Sequence, residues 1–204
     1  MNRDEKNLQT REKIVGSALR EFSEKSYGEA SLNTVCAAGN ISKGIIYHYF
    51  KDKDELYLAC VRECFDALTS YLANVVTISG ATVEAALERY FDARIAFFAE
   101  HPHYLRLFCN AIMNPPAHLL DALAEITADF DALNLSVLTG LLSAVNLRPG
   151  ITVEEVVAVF REYQDFVNTR FQMQAAQEST LKEHEERCRR SLKILLYGII
   201  ERER

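Results

Sequence analysis

Apolar residues recur at helical spacing along almost the whole chain. Ile14, Val15, Ala18, Leu19 and Phe22 fall on one face of a segment that Thr10 is placed to cap and that runs to about Lys25. Residues 26–30 interrupt the pattern, with Gly28 inside the break. A short helix is predicted from Ser31 to about Ala38, then a tight turn at Gly39, Asn40 and Ile41. Ser42 caps a second short helix that ends near Tyr49. Asp52, with Glu55 three residues on, opens a fourth helix reaching about Val76. The next runs from about Thr82 to His101, because Pro102 disfavours helix in the residue before it. A sixth spans about His103 to Met113 and stops at Pro115-Pro116, and a seventh covers about His118 to Val145, closed by Pro149-Gly150. Two capping boxes, Thr152 with Glu155 and Thr180 with Glu183, open the last helices, to about Gln177 and Glu201. The pattern predicts an all-α fold of nine helices, without internal repeat. Its boundary lies near residue 50, dividing a three-helix head, 1–52, from a helical body, 53–204.

Composition agrees with that picture. Of 204 residues, 49% are hydrophobic, enough for a real core, and only 8 Gly and 4 Pro interrupt the helices. The net charge of -6 argues at first against nucleic acid. Its distribution changes the reading: residues 1–53 hold nine Lys/Arg against seven Asp/Glu, whereas the remainder holds 14 against 22. A slightly basic head on an acidic body is compatible with a local DNA-facing patch. The charged N-terminus lacks an apolar signal region, and no stretch approaches ~20 apolar residues, so neither export nor a membrane partner is expected. Five scattered cysteines, Cys36, Cys60, Cys64, Cys109 and Cys188, fit a reducing cytoplasm better than a disulfide framework.

The segment Ser31–Lys53 carries the chemistry. Two helices of about two turns joined by a tight turn form the motif whose second helix enters the major groove. Val35, Ala38, Ile41 and Ile46 are spaced to pack the two helices together, with Ala38 small enough to let the backbones approach. Asn40 stands where the turn needs a left-handed residue. The second helix is odd for a structural element. Lys43 can donate to phosphate or to guanine, Tyr47 and His48 to phosphate, and Ile45 can meet a thymine methyl. Gly44 permits close approach to base edges, and Ser42 caps a helix start whose N–H groups face a phosphate. Lys53 adds a donor at the start of the fourth helix. Helical bundles that never meet DNA also contain such pairs of helices.

The run S-K-G-I-I-Y-H-Y-F-K-D-K-D-E-L, Ser42 to Leu56, resembles the signature of the tetracycline-repressor (TetR/AcrR) family, roughly S-x-G-x-x-Y-x-Y/H-F-x-x-K-x-x-L. The resemblance extends over about residues 10–60. It implies a DNA-binding transcription regulator, commonly a repressor, with a double-stranded operator as partner. It also implies that Ser31, Asn33, Ser42, Lys43, Gly44, Ile45, Tyr47, His48 and Lys53 touch DNA. Asn40 replaces the family's usual Gly, and Ile45 a common Thr, which removes one hydroxyl from the base-contacting face.

In the body, Val156, Val157, Phe160, Tyr163, Val167 and Phe171 form one stripe and Leu192, Leu195, Leu196 and Ile199 another. Val159, Phe166, Met173, Ile194 and Tyr197 lie outside both, so a second face also needs burial. Two helices from each protomer in a four-helix bundle would cover both faces; an intramolecular core is the other reading. The resemblance favours a homodimer through Phe160, Tyr163, Val167, Phe171, Leu192, Leu195, Leu196 and Ile199. A two-fold pair sets recognition helices ~34–36 Å apart.

The resemblance also implies a small-molecule effector. Tyr71, Tyr90, Phe97, Phe98, Phe108, Met113 and Phe130, interleaved with Arg94, Asn110, Asn134, Asn168 and Arg170, are its candidate lining. Each of these aromatics also suits an ordinary helical core. Effector binding is expected to tilt the fourth helix and move the recognition helices off register, releasing a palindromic operator.

Two alternatives stay open. Cys60 and Cys64, spaced i, i+4, share a helix face as a redox pair would, or pack as small buried hydrophobes. No catalytic fingerprint and no metal-ligand spacing is present, so no enzyme, cofactor or metal is expected, although a helical enzyme built from scattered Asp, Glu and His would leave no such trace. His101 and His103 flank Pro102 in a helix break, where capping or solvent contact suits them.

Overall fold

A computed structural model of the protein describes residues 3–75, 82–174 and 181–199. Among the described residues it consists of nine α-helices and one 3₁₀ turn, without a strand element. They are α1 (Arg3–Glu24), α2 (Leu32–Gly39), α3 (Lys43–Tyr49), α4 (Lys53–Val75), α5 (Val83–Glu100), α6 (Pro102–Met113), the 3₁₀ turn Ala117–Leu119, α7 (Leu120–Ser143), α8 (Val153–Gln174) and α9 (Leu181–Ile199). The order and type of elements match the apolar pattern. Helix α1 is longer than its expected start at Thr10, because Thr10 does not cap. Its Oγ1 donates back to the carbonyl of Lys6, 2.8 Å away, and the helix runs on through it to Arg3. The Thr152–Glu155 capping box forms in both directions, at 2.9 and 3.2 Å. Pro102 occupies the first turn of α6, where its missing N–H costs nothing.

Two compact units result, one of residues 1–67 with 101–127, the other of 68–100 with 128–204. This grouping cuts across the expected division at residue 52. The physical reason is α6. Its Leu107 and Phe108 are buried, Phe108 stacks 5.2 Å from Phe65 of α4, and the Asn110 amide donates to the carbonyl of Phe22 in α1. The head therefore closes its core with a helix from a later part of the chain. Ile14, Val15, Ala18 and Phe22 of α1 are buried in that core, as their spacing predicts, each contributing about 1–3 kcal/mol by leaving water.

In the second unit, α9 lies against α5. Arg189 reaches Glu88 at 2.8 Å and Asp92 at 3.3 Å, and Lys193 reaches Glu84 at 3.3 Å and pairs closely with Glu88. Leu192 and Leu196 lie one turn apart on the same side as this ion network and are buried. No helix among the described residues is long and apolar enough to cross a membrane.

Candidate nucleic-acid interface

Helix α2 begins at Ser31, whose hydroxyl accepts the Asn33 N–H at 3.2 Å. It ends on Asn40 in the left-handed conformation, φ 45° and ψ 53°. There the Asn40 N–H donates to Ala37 and the Ile41 N–H to Cys36, which satisfies two carbonyls that the helix end leaves over. The turn thus uses Asn where a glycine would be easiest, as its sequence position requires. The close approach lies one residue from where the sequence reading put it. Ala38 is exposed, whereas Gly39 is buried, and a Cβ on Gly39 would stand 2.6 Å from both Ile41 Cδ1 and Ser17 Oγ. Gly39, not Ala38, lets α2 settle on α1.

Ser42 caps α3, accepting the Ile45 N–H at 3.3 Å. Within α3 only Ile46 is buried, at 0% exposure, and it anchors the helix. Ser42, Lys43, Gly44, Ile45, Tyr47 and His48 all face outward, Ile45 at 42% and Tyr47 at 49% exposure. An isoleucine and a tyrosine left in water beside a lysine and a histidine form a surface suited to base edges, methyl groups and phosphates. Tyr49 is turned the other way: its hydroxyl donates to Asn7 of α1 at 3.1 Å.

Of the other expected contacts, Asn33 is exposed and Ser31 half-buried. Lys53 is half-buried as well, with its ammonium 4.4 Å above the Tyr27 ring, and burial lowers its pKa. Sequence reasoning missed Glu21, a buried carboxylate that fixes the interface from behind. Its Oε1 accepts the Ser31 N–H at 2.9 Å and the Lys25 ammonium at 2.8 Å. Burial raises its pKa, but the bonds from Lys25, Ser31 and Thr34 outweigh burial and hold the carboxyl below its usual value. The signal for it was a Glu on the otherwise apolar face of α1.

The remaining expected groups separate. Cys60 and Cys64 are fully buried, and burial pushes both thiols far up, so they stay protonated and unreactive. Cys60 points at the carbonyl of Val15 and Cys64 at that of Tyr104, which is the behaviour of core residues. His103 meets Ser23 Oγ at 2.9 Å, and His101 packs on Tyr104. Among the described residues no group of His, Cys, Asp and Glu could hold a metal ion.

The twelve expected pocket residues are not brought together as one set. Phe108, Asn110 and Met113 belong to the first unit, because α6 packs on α1. Tyr71, Tyr90, Arg94, Phe97, Phe98, Phe130 and Asn134 belong to the second. There Tyr90 donates its hydroxyl to Asn134, and the Arg94 guanidinium lies 5.8 and 5.4 Å from the ring centres of Tyr90 and Phe130. The side chains of Asn168 and Arg170 lie outside those described. A separate cavity of about 340 Å³ opens in the second unit, lined by Thr82, Val83, Glu84 and Leu87 of the α5 start, Ala144 and Val145 after α7, and Lys193, Leu196 and Tyr197 of α9. None of the twelve lines it.

The expected dimer stripes divide by burial. Leu192 and Leu196 face inward, because the ion pairs of Arg189 and Lys193 clamp that side of α9 to α5. Phe160, Tyr163 and Leu195 are half-buried. The exposed apolar residues are those outside the stripes: Val159, Phe166 at 58%, Ile194 at 65% and Tyr197. The side chains of Val167, Phe171 and Ile199 lie outside those described.

Residues 14–60 match the family model of bacterial regulatory proteins, tetR family. The chain is similar to the biofilm operon icaADBC HTH-type negative transcriptional regulator IcaR of Staphylococcus aureus, 26% identical over 106 residues. That match covers 52% of this chain and 55% of IcaR, so the chain spans about half the length of that relative. It is 23% identical over 177 residues to the HTH-type transcriptional regulator RutR of Escherichia coli, covering 83% of this chain and 79% of RutR. In fold it is similar to the Bacillus subtilis transcriptional regulator FadR, solved in complex with stearoyl-CoA, with TM-score 0.67 and 16% identity over 92% of this chain and 98% of FadR. A tetR-family regulator of Mesorhizobium loti gives TM-score 0.68 and 17% identity over 98% of this chain and all of that one. At these identities the structural likeness shows a shared fold.

Proposed function

We propose that this chain, a member of the tetR family of bacterial regulatory proteins through its residues 14–60, is a homodimeric repressor released from a palindromic operator by a small molecule. The observation that carries DNA binding is the one-sided burial of α3. Ile46 fastens the helix, and Ser42, Lys43, Gly44, Ile45, Tyr47 and His48 are exposed. Asn33, Ser31 and Lys53 extend that surface on the flanking helices. Repression is supported by the likeness to IcaR, a negative regulator.

Dimerisation supplies the second recognition helix that a palindrome needs. The exposed apolar side chains of α8 and α9, Val159, Phe166, Ile194 and Tyr197, are the surface for it. Phe160, Tyr163 and Leu195 of the same two helices are half-buried. The effector binds the second unit. We place it in the 340 Å³ cavity rather than at Tyr90 and Asn134, whose polar groups bond to each other. The cavity falls in the range of small-molecule sites, with apolar walls and Glu84 and Lys193 as its charged groups. DNA release follows if the ligand prefers a conformation with the two heads at a different spacing.

The test is binding of the purified protein to pooled genomic fragments over a range of salt. Binding should weaken steeply with salt, and Lys43→Ala should reduce the log–log slope by about one per head. Tyr47→Ala should weaken binding further, with unchanged melting. Binding indifferent to both substitutions would remove α3 from the interface and with it this reading.

A further inference from the structure

One cluster in the first unit is not accounted for by the recognition helix or by the core. Asp54, in the first turn of α4, has both carboxylate oxygens engaged by donors from elsewhere in the chain. Oδ1 accepts the hydroxyl of Tyr27, from the loop between α1 and α2. Oδ2 meets Nε2 of His118, from the 3₁₀ turn before α7, at 3.2 Å. The rings of Tyr27 and His118 lie edge to face at 5.5 Å, and Tyr57 supports Tyr27 from another side at 5.1 Å. On the resulting platform rests the Lys53 ammonium, 4.4 Å from the Tyr27 ring centre.

We propose that His118 is a positioning residue for DNA binding, acting through Asp54 and Tyr27 to hold the Lys53 ammonium where it meets a phosphate. The inference rests on the proposed role of Lys53 as a phosphate donor.

Two effects carry it. A lysine on a four-carbon stem has many rotamers, and fixing it on an aromatic face before DNA arrives removes that ordering cost from binding. The second concerns Asp54 itself. A carboxylate beside Lys53 would otherwise pair with the ammonium or repel the approaching phosphate. Tyr27 and His118 occupy both of its oxygens, and among the described residues Asp54 pairs with His118 and not with Lys53. The hydrogen bond from Tyr27 is the leading cause that holds the Asp54 carboxyl below its ordinary value, so it remains an acceptor for both donors.

His118 lies far outside residues 14–60, and the turn that carries it runs directly into α7. A movement at the start of α7 therefore acts on a DNA contact without passing through α3. His118 is 56% exposed, so its replacement does not threaten the core.

The experiment is a double-mutant cycle read by fluorescence anisotropy on one labelled duplex of about 30 base pairs with unspecified sequence. Lys53→Ala should lower the salt slope by ~0.9 per head, which between 1 M and 0.1 M salt is about an eightfold loss of affinity for each head on the duplex. His118→Ala should weaken binding by about threefold or more in the wild-type background, with unchanged melting, and by less than about 1.5-fold in the Lys53→Ala background. His118→Gln, which keeps a side-chain N–H for Asp54, should restore binding. Equal losses in both backgrounds, no loss at all, or no rescue by Gln would overturn the inference. So would a Lys53→Ala variant that binds like wild type. If binding is also indifferent to Lys43→Ala, the DNA-binding reading fails instead, which separates the two failures.

Discussion

Glu21 offers the sharpest test of how the interface is held. Glu21→Gln keeps the shape of the side chain and an acceptor for the Ser31 N–H, but removes the charge. A hydrogen bond to a charged group contributes about 1.5–3 kcal/mol and one between neutral groups about half that, so the exchange costs about 1 kcal/mol at that bond. The Lys25 ammonium is 41% exposed, and solvent screening limits its share to a few tenths of a kcal/mol. Glu21→Ala removes the acceptor altogether. It leaves the first N–H of the α2 cap without its partner and should cost about 2–3 kcal/mol.

Urea unfolding at pH 7 measures both differences. Their pH dependence follows from the direction of the shift. The carboxyl is held below its ordinary value of 4.5 in the folded protein, so its contribution is complete above that value and is lost as pH falls through the lower, folded one. The gap between wild type and Glu21→Gln should therefore close on acidification below about 4.5. A gap absent at pH 7, or one that widens as pH falls, would refute the assignment of Glu21 as a charged clamp.

Other positions make simpler tests. Asn40→Gly should leave stability unchanged or slightly improved, whereas Asn40→Val should cost about 1–2 kcal/mol by forcing a β-branched residue to φ 45°, read from thermal melting. Gly39→Ala should destabilise by about 1–3 kcal/mol because Ile41 and Ser17 must shift, while Ala38→Ser stays near neutral; chemical denaturation of both variants separates the crowded site from the open one. Cys60 and Cys64 should resist a thiol-specific reagent in the folded protein and react once urea unfolds it; fast labelling of either in native buffer would revive a redox role.

The local features of the interface were legible because they depend on neighbours in sequence. The caps at Ser42 and Asp52, the left-handed Asn40 and the inward placement of Ile46 all follow from spacing within a few residues. What escaped depends on contacts distant in the chain. Thr10 has the chemistry of a cap, but an upstream turn was available to continue the helix. The α9 periodicity shows two apolar faces, and only Glu84, Glu88 and Asp92, about a hundred residues earlier, decide that Leu192 and Leu196 turn inward. The partition of the pocket candidates required knowing that α6 returns to α1.

That return of α6 bears on how such proteins can be recombined. Exchange of sensory halves between relatives is most easily imagined as a cut after the recognition helix, with a new body spliced on. Here such a hybrid would carry a head stripped of its closing wall, with the carbonyl of Phe22 facing an unrelated helix. A transplantable unit from this protein has to carry residues 101–127 along with 1–67, two stretches that 68–100 separate along the chain.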